Sequence, residues 1–542
     1  MKVVRSLLAL ALCASMFAAC TKNGGVATKG GRNAWTIPGT LRYGREDEPD
    51  SLNPMFAHTD ATDQTTGLLF SGLLRYDDNG NYIPDLATAV PTYANGGISK
   101  DNKTITVHMR KGVVWSDGAP LNAQDWMFTY HAVKNPANNT KLDVGWDNIQ
   151  SASAPNDYTI VIHLKKPDAA VLGILADGGG SSYPPLPAHL LGKLPDINRA
   201  PFNEHPISSG PFLLQRWDHG SRLVFVANPK YFRGKPKLDK VIWSVVPDPN
   251  TLFNELKTHE IDVYSSVGEN DIARLNSIPG ITVNKKLVAN WRHMGINTSR
   301  PQLHDRRVRL AIAEAIDFKR INDTIYHGYN ELATSDVFPL SWAAPTIPPY
   351  KYDPQDSKRL LAAAGWTMGS DGVLHKGPLA MNLTISTQTN KQPNEDSEIQ
   401  IQSQLKPLGI NVTIHNYPVS LLFAQNGPLY SGHYDLEWSI ETNGPDPDNL
   451  GLWGSAFIPP HGANTSWLSD PLVDSYAAQA KETFDQAKRK ALYQKEEERL
   501  HALVPNVVFY WENSYTGINS DVKNYKPAAF IQDTWNAWEW EI

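Results

Sequence analysis

The chain has 542 residues, more than one simple hydrophobic core accommodates, so we expect at least two lobes. Its 50 basic and 56 acidic residues give a formal charge of −6, and no block of basic residues stands out. This balance argues against a nucleic-acid partner, because nucleic-acid binding needs clustered lysine and arginine.

The N-terminus has the pattern of an export signal. Lys2 and Arg5 precede an apolar run that is too short to span a bilayer. The run ends at Ala18-Ala19-Cys20, which resembles the lipobox of lipoproteins, with Phe17 in place of the usual leucine. We predict a signal peptide over 1–19 and lipidation of Cys20; ordinary cleavage without a lipid is the alternative.

Residues 20–38 follow as a predicted flexible tether, since 21–34 are rich in glycine, lysine, threonine and asparagine. The chain has two cysteines, and signal cleavage removes Cys13. A structural disulfide within the processed chain is therefore excluded, although export would permit one.

The first third of the chain is predicted to be mainly strands and turns. Leu41 begins a short strand, and Asp78-Asn79-Gly80 is a hairpin signal. Apolar and polar residues alternate over 104–109 and 157–164, which predicts two half-buried strands. Between them, Asn122 is expected to cap a helix that runs toward residue 133.

A strand runs directly into a helix halfway along the chain. The strand starts near Trp291, and Asp305 is expected to cap a helix that ends at Gly328. The apolar face of that helix comprises Val308, Ile312, Ala315 and Ile316. A strand leading into a new helical unit at this point indicates a crossing between two lobes.

The last third alternates strands and helices. Asp353-Pro354 starts a helix that Gly365 ends, and segments 383–385, 397–405 and 410–414 predict a βαβ unit with parallel strands. A long helix is predicted from Asp470 to Leu503, with a solvated charged face. The residues of that face are Lys488, Arg489, Lys495, Glu496, Glu497 and Glu498. Pro505 ends the helix, and a buried strand follows.

Several blocks resemble the extracytoplasmic solute-binding proteins of family 5, the receptors of peptide and nickel ABC importers. The most specific block is Arg110–Leu121, followed by the stretch from Trp291 to Arg309. Weaker matches lie at 72–87, 206–212, 228–236 and 258–262, so the resemblance runs from about Leu41 to the C-terminus.

The resemblance implies a two-lobed α/β fold of the type II periplasmic-binding-protein (Venus flytrap) class, with mixed sheets. The lobe I core is expected to comprise 39–60, 205–290 and 508–542. An extra subdomain of lobe I is expected over 61–204, and lobe II over 291–507.

The segment from Tyr434 to Asn449 is similar to the part of oligopeptide- and dipeptide-binding relatives that holds the α-ammonium of the peptide. Those relatives have a tryptophan and, three residues later, an aspartate that precedes an Asp-Pro turn. Alignment from the tryptophan places Trp438 and Glu441 at these positions. Alignment from the turn places Asn443 at the aspartate instead. Glutamate keeps the negative charge and asparagine removes it, so both assignments stay open.

By the same resemblance, Glu48, Trp291, Arg292 and Asn297 are expected at the cleft. Arg292 is expected either to bind a ligand carboxylate as a fork or to be an ordinary surface arginine. For Glu441, the alternative to ligand contact is an ion pair with a lysine or arginine of the protein itself.

Motifs for catalysis are missing from the sequence. It has no His-Glu-x-x-His, no phosphate-binding Gly-Lys-Ser/Thr loop, no Gly-x-Ser-x-Gly turn and no candidate cysteine nucleophile. The histidines are scattered. We therefore expect a protein that is not an enzyme and has no cofactor and no metal site.

The resemblance implies a monomeric, lipid-anchored receptor in the periplasm or cell envelope. It would close around a peptide and deliver it to the membrane permease of an ABC importer. The first alternative keeps the fold and changes the cargo to a nickel chelate, an opine or an oligosaccharide. The second alternative is a secreted hydrolase or peptide chaperone.

Overall fold

The structure, a computed structural model, describes residues 31–56, 59–140, 145–177, 182–265, 267–530 and 533–542. The predicted signal peptide and Cys20 lie outside the described residues. Within these ranges, eleven strands form one mixed sheet that extends through both lobes, in the order β18-β17-β19-β12-β20-β11-β1-β10-β9-β8, with β13 paired to β20. The predicted α/β class with mixed sheets is confirmed.

Two strands at the centre of the main sheet are long, and the other strands are shorter. In chain order they are β1 (Thr40–Arg45), β2 (Leu74–Tyr76), β3 (Tyr82–Pro84), β4 (Thr104–His108), β5 (Ile149–Asn156), β6 (Thr159–Leu164), β7 (Ala176–Asp177), β8 (Phe212–Asp218), β9 (Arg222–Ala227), β10 (Lys240–Val245), β11 (Val263–Tyr264), β12 (Ile281–Ile296), β13 (Glu331–Leu332), β14 (Thr367–Met368), β15 (Leu374–Lys376), β16 (Leu379–Ala380), β17 (Asn382–Ser386), β18 (Asn411–Ile414), β19 (Leu436–Thr442) and β20 (Asn506–Asn519).

The helices are mostly short and flank the sheet. They are α1 (Asp60–Leu69), α2 (Ala123–Lys134), α3 (Ala188–Leu191), α4 (Pro249–Lys257), α5 (Glu269–Leu275), α6 (Arg306–Ala315), α7 (Phe318–Ile325), α8 (Pro354–Ala363), α9 (Gln392–Leu405), α10 (Val419–Leu422), α11 (Pro428–Ser431), α12 (Leu450–Trp453), α13 (Pro471–Glu482) and α14 (Gln486–Leu503). None of the described helices has the length and apolar character needed to traverse a bilayer.

Two hydrophobic cores define the two lobes. The first joins β1 and β10 to the small sheet β4-β6-β5 and to α2, so the extra subdomain shares its core with lobe I. The second packs α6 and α9 against β17, β19 and the lobe II half of β12. The sequence-based boundaries between the lobes stay a prediction.

The strands β12 and β20 connect the lobes. They pair antiparallel from Ile281↔Asn519, beside lobe I, to Gly295↔Asn506 in lobe II. The predicted strand at Trp291 is therefore the second half of a 16-residue strand that crosses between the lobes. The ladder is interrupted between Leu287 and Trp291, where the two strands part.

Two predicted helices are each broken into two. The helix capped by Asp305 ends at Ala315, and Asp317 caps the separate helix α7 before Gly328 is reached. The helix that starts at Asp470-Pro471 ends at Glu482, and Asp485 caps α14 after a three-residue break. In both cases an internal aspartate binds free backbone amides and starts a new helix, which the apolar periodicity alone does not reveal.

The predicted solvated face of the last helix is wrong for three of its six residues. Arg489, Glu496 and Glu497 are 6%, 0% and 4% exposed. Arg489 donates to the carboxylate of Asp446 at 2.6 Å. Neither carboxylate oxygen of Glu496 has a hydrogen-bond partner among the described residues.

Burial of Glu496 makes the stability of the fold depend on pH. Burial, together with the charges of nearby acids, raises the pKa of its carboxyl well above the usual value of 4.5. The folded state therefore binds this proton more tightly than the unfolded state, and the free energy of unfolding falls as the pH rises above 4.5. We expect Glu496→Gln to raise the free energy of unfolding at pH 8 by about 1–3 kcal/mol and to leave it nearly unchanged near pH 4.

Urea unfolding at several pH values checks this expectation. The matched control is Glu498→Gln, because Glu498 is exposed two positions further along α14. Parallel pH profiles for the parent and Glu496→Gln would contradict the assignment.

The predicted tether ends earlier than residue 38. The backbone amide of Asn33 donates to Asp521 at 2.7 Å, and the indole of Trp35 stacks on His259 at 4.1 Å. Residues from Asn33 onward are therefore attached to lobe I, which corrects the predicted boundary.

Candidate functional site

A chamber lies where the two crossing strands part. Three residues of β12, 288–290, face the single residue Glu512 of β20 at the interruption of the ladder. These residues line a cavity of about 540 Å³, which is bounded on the lobe I side by Arg45, Asp60 and Asp63. We call it the interlobe chamber.

A smaller cavity adjoins the chamber at the end of β19. It has a volume of about 230 Å³, and Thr442 lines both cavities. Polar groups dominate its lining, which includes Asp336, Glu441, Asn443, Asp446, Asp448 and Asn449. We call it the acidic side pocket.

Glu441 meets the main requirement for holding a cation. Within the described chain its carboxylate makes no ion pair and no hydrogen bond, so the alternative of an internal ion pair is not observed. Burial raises the pKa of this carboxyl to about 7. A partly buried carboxylate without a partner is costly, and a ligand cation would offset that cost.

Asn443 is engaged by the protein. Its Oδ1 accepts a 2.7 Å hydrogen bond from Nε1 of Trp291, and its Nδ2 donates to the carbonyl of Asp336. Trp291 itself is 1% exposed and packs against Trp511 at the crossing. Asn443 therefore shapes the side pocket, while its acceptor oxygen is already used.

A buried polar chain runs behind Glu441 on the same face of β19. Oγ of Ser439 lies 3.0 Å from Oε2 of Glu437 and 3.1 Å from Nε2 of His293. Burial, with the charge of Glu441, raises the pKa of Glu437 to about 7, and burial lowers the pKa of His293 to about 3. A larger residue at 295 would displace the Glu437 side chain, because a Cβ there would lie 2.4 Å from Oε1 of Glu437.

Arg292 on β12 and Glu441 on β19 lie on opposite faces of the sheet. Arg292 is 7% exposed. Its Nε donates to the hydroxyl of Tyr510 at 2.8 Å, and its guanidinium lies 3.6 Å from the carboxylate of Glu512. Arg292 is thus neither a surface arginine nor a lining residue of the two cavities. It contacts Glu512, which does line the interlobe chamber.

Trp438 and Asn297 are in the interior, which corrects their prediction as cleft residues. Trp438 is 0% exposed and packs against Phe509 in the core of lobe II. Asn297 is also 0% exposed, and its Nδ2 donates to the carbonyls of Gly432 and Tyr434 at 3.1 Å. Both side chains stabilise lobe II and have no surface for a ligand.

Glu48 holds two parts of lobe I together. Its carboxylate accepts from Nε1 of Trp217 at 2.7 Å and from the amide of Gly220 at 3.0 Å, both at the β8–β9 hairpin. It does not line either cavity. This contradicts its prediction as a cleft residue, because its acceptor oxygens are used within the protein.

The sequence interpretation missed the other acids of the side pocket. Asp446 and Asp448 belong to the Asp-Pro turn, and three acids within eight residues were the available signal. Asp336 has no local signal, because the fold alone brings it beside Asn443 and Asn449 from a distant segment.

The two lobes touch each other beyond the crossing strands. Nζ of Lys481 in lobe II donates to Asp448 and lies 3.8 Å from Asp168 of the extra subdomain. Nδ2 of Asn102 donates to the carbonyl of Glu482 at 3.0 Å. These contacts join the side pocket to lobe I and hold the lobes together around the chamber.

Comparison with known families identifies this arrangement. The model of the bacterial extracellular solute-binding proteins, family 5, matches residues 81–456, which is more than half of the chain. The chain belongs to this family. The family 5 protein is 28% identical over 500 residues to the oligopeptide-binding protein AppA of Bacillus subtilis, covering 90% of this chain and 89% of that relative.

Solved structures agree with this assignment. The family 5 protein resembles AppA of Bacillus subtilis in complex with a nonapeptide, with a TM-score of 0.71, 26% identity, and 93% and 99% of the two chains covered. It also resembles NikZ of Campylobacter jejuni in complex with Ni(L-His), with a TM-score of 0.73, 27% identity, and 94% and 100% covered. The predicted two-lobed type II binding-protein fold is confirmed.

Proposed function

We propose that this family 5 protein is the substrate-binding component of an ABC importer and captures a peptide between its lobes. The observation that carries the proposal is the carboxylate of Glu441. It has no partner in the described chain, and it lines a cavity that shares Thr442 with the interlobe chamber. Relatives named as oligopeptide- and dipeptide-binding proteins support a peptide cargo.

The role of Glu441 follows from the cost of burying a cation. An α-ammonium that leaves water needs a carboxylate within hydrogen-bond distance, or its burial costs several kcal/mol. Glu441 supplies this group, whereas the oxygen of Asn443 is bound to Trp291. We therefore assign the ammonium to Glu441, with Asn443 and Trp291 fixing the wall beside it.

Capture requires no covalent step. The chamber is lined by lobe I residues such as Asp60 and by Thr442 of lobe II, so a ligand there contacts both lobes. It binds the closed state better than an open one and shifts the population toward closure. We infer a binding protein with no enzymatic activity, resident cofactor or metal.

The cellular location follows from the family. As an extracellular solute-binding protein it works outside the cytoplasm. We propose a lipid anchor at Cys20, a monomer in the periplasm or cell envelope, and a membrane permease as its protein partner.

Peptide pools sorted by length test the proposal. Intrinsic tryptophan fluorescence is a suitable signal, because Trp291 and Trp511 lie at the crossing. At a hundred times its dissociation constant, a ligand that binds only the folded state adds about 2.7 kcal/mol to stability. We expect at least one pool to raise the melting temperature and change the fluorescence. No response to any pool would contradict a peptide cargo.

The second candidate is the same receptor with a non-peptide solute. The similarity to NikZ, solved with Ni(L-His), is the observation that favours it. A nickel chelate, an opine and an oligosaccharide belong in the same melting assay. A shift with one of these and none with peptides would select this candidate.

A further inference from the structure

The acidic side pocket has more negative charge than one ammonium group neutralises. Its four carboxylates belong to Asp336, Glu441, Asp446 and Asp448. Arg489 pairs with Asp446 at 2.6 Å, and Lys481 donates to Asp448. Among the described residues, Asp336 and Glu441 have no ion-pair partner, and Oδ2 of Asp336, which is 2% exposed, accepts a 2.8 Å hydrogen bond from Nε1 of Trp453. If Glu441 takes an α-ammonium, one further carboxylate remains without a cation.

Asn449 gives an independent indication that a donor group belongs in the pocket. Its Nδ2 lies 3.4 Å from Oδ2 of Asp336 and 3.3 Å from Oε1 of Glu497, which fixes the orientation of the amide. Its Oδ1 has no hydrogen-bond partner in the described structure, although the residue is only 4% exposed. An acceptor of this kind accepts a hydrogen bond either from water or from an N–H group of a ligand.

The neighbouring polar groups do not supply that donor. Oγ1 of Thr442 already donates to Oδ1 of Asn290 at 2.9 Å, and Nδ2 of Asn443 donates to the carbonyl of Asp336. The lining therefore offers carboxylate oxygens and the amide oxygen of Asn449 as acceptors, and the side-chain donors of Thr442 and Asn443 are used. Such a lining suits an ammonium or guanidinium group.

We propose that the acidic side pocket binds the cationic side chain of the first residue of the ligand, so that the preferred cargo is a peptide beginning with lysine or arginine. The inference rests on the proposed function and names its substrate class. The volume of about 230 Å³ corresponds to about eight water molecules, which is more room than an ammonium alone needs.

Two peptides that differ by one group test the proposal. They share length and sequence, and the first residue is lysine in one and norleucine in the other, so that only the side-chain ammonium differs. Isothermal titration calorimetry should give an affinity for the lysine peptide at least about tenfold higher. Asp336→Asn should reduce this ratio to about threefold or less, because it removes the second unpaired carboxylate.

The matched control is Asp371→Asn, which removes the same charge from the exposed β14–β15 turn and should leave the ratio unchanged. Equal affinities of the two peptides for the parent protein would overturn the inference and leave the proposed function intact. A tenfold ratio that survives Asp336→Asn would overturn the assignment to this pocket. Failure of both peptides, and of every pool in the melting assay, would overturn the proposed function and this inference with it.

Discussion

Replacing Glu441 by glutamine should lower the affinity for peptides with a free amino terminus by about 30-fold or more at pH 8. This is the lower end of the cost of removing one partner of a buried charge pair, about 2 kcal/mol. The amide keeps the size of the side chain but leaves the ligand ammonium without a counter-charge. Titration calorimetry of the parent and variant measures the difference.

The pH dependence provides a second measurement on the same pair. The pKa of Glu441 is raised to about 7, so a proton competes with the ligand cation below that value. Affinity of the parent protein should fall as the pH decreases from 8 to 6, and affinity of Glu441→Gln should change much less. Glu331→Gln is the control, because Glu331 is exposed and pairs with Lys285.

An N-acetylated peptide completes the design. It lacks the ammonium, so the parent and Glu441→Gln should bind it with similar, weak affinity. If Glu441→Gln bound the free peptide as tightly as the parent, the ammonium assignment would be wrong.

Replacing Trp438 by alanine should reduce the free energy of unfolding by about 3–5 kcal/mol, the usual cost of a large-to-small change in a packed core. Trp438 is fully buried against Phe509 and Phe318, so the cavity left behind has no access to solvent. Urea unfolding of the whole protein, followed by circular dichroism, measures the loss.

The conservative variant Trp438→Phe separates packing from ligand contact. It should remain folded and bind peptide within about threefold of the parent, since the residue does not line either cavity. A large loss of affinity without a loss of stability would place Trp438 at the ligand, as the family resemblance had implied.

Local signals predicted much of the fold because they act over short distances. Asp305 caps α6, Asn122 caps α2, and Asp78-Asn79-Gly80 joins β2 to β3. The predicted βαβ unit is β17, α9 and β18, with the two strands parallel. In each case the residues that determine the structure are neighbours in sequence or share one helical face.

The candidate site was harder to predict because its members come from distant segments. Asp336 joins Asn443 and Asn449 only through tertiary packing. Helix periodicity also failed to reveal that Glu496 is enclosed between α14 and its neighbours. Burial of a charge on a helix depends on what packs against it, and the sequence of that helix does not specify this.

The sequence itself contained evidence against placing Trp438 and Glu441 in the same cleft. Residues three apart on a strand point to opposite faces of a sheet, and this segment is the strand β19. Trp438 therefore faces the core together with Met294, while Glu441 shares a face with Trp291. The motif match had placed both side chains in one cleft without considering the alternation.

The parting of β12 and β20 has a mechanical consequence. The interruption of the crossing strands, about which we expect the lobes to turn, and the lining of the interlobe chamber share residues 288–290 and Glu512. A ligand bound in the chamber would therefore contact the interrupted strands directly. We therefore expect ligand affinity and lobe closure to depend on the same residues. A substitution at 288–290 or at Glu512 should change both together.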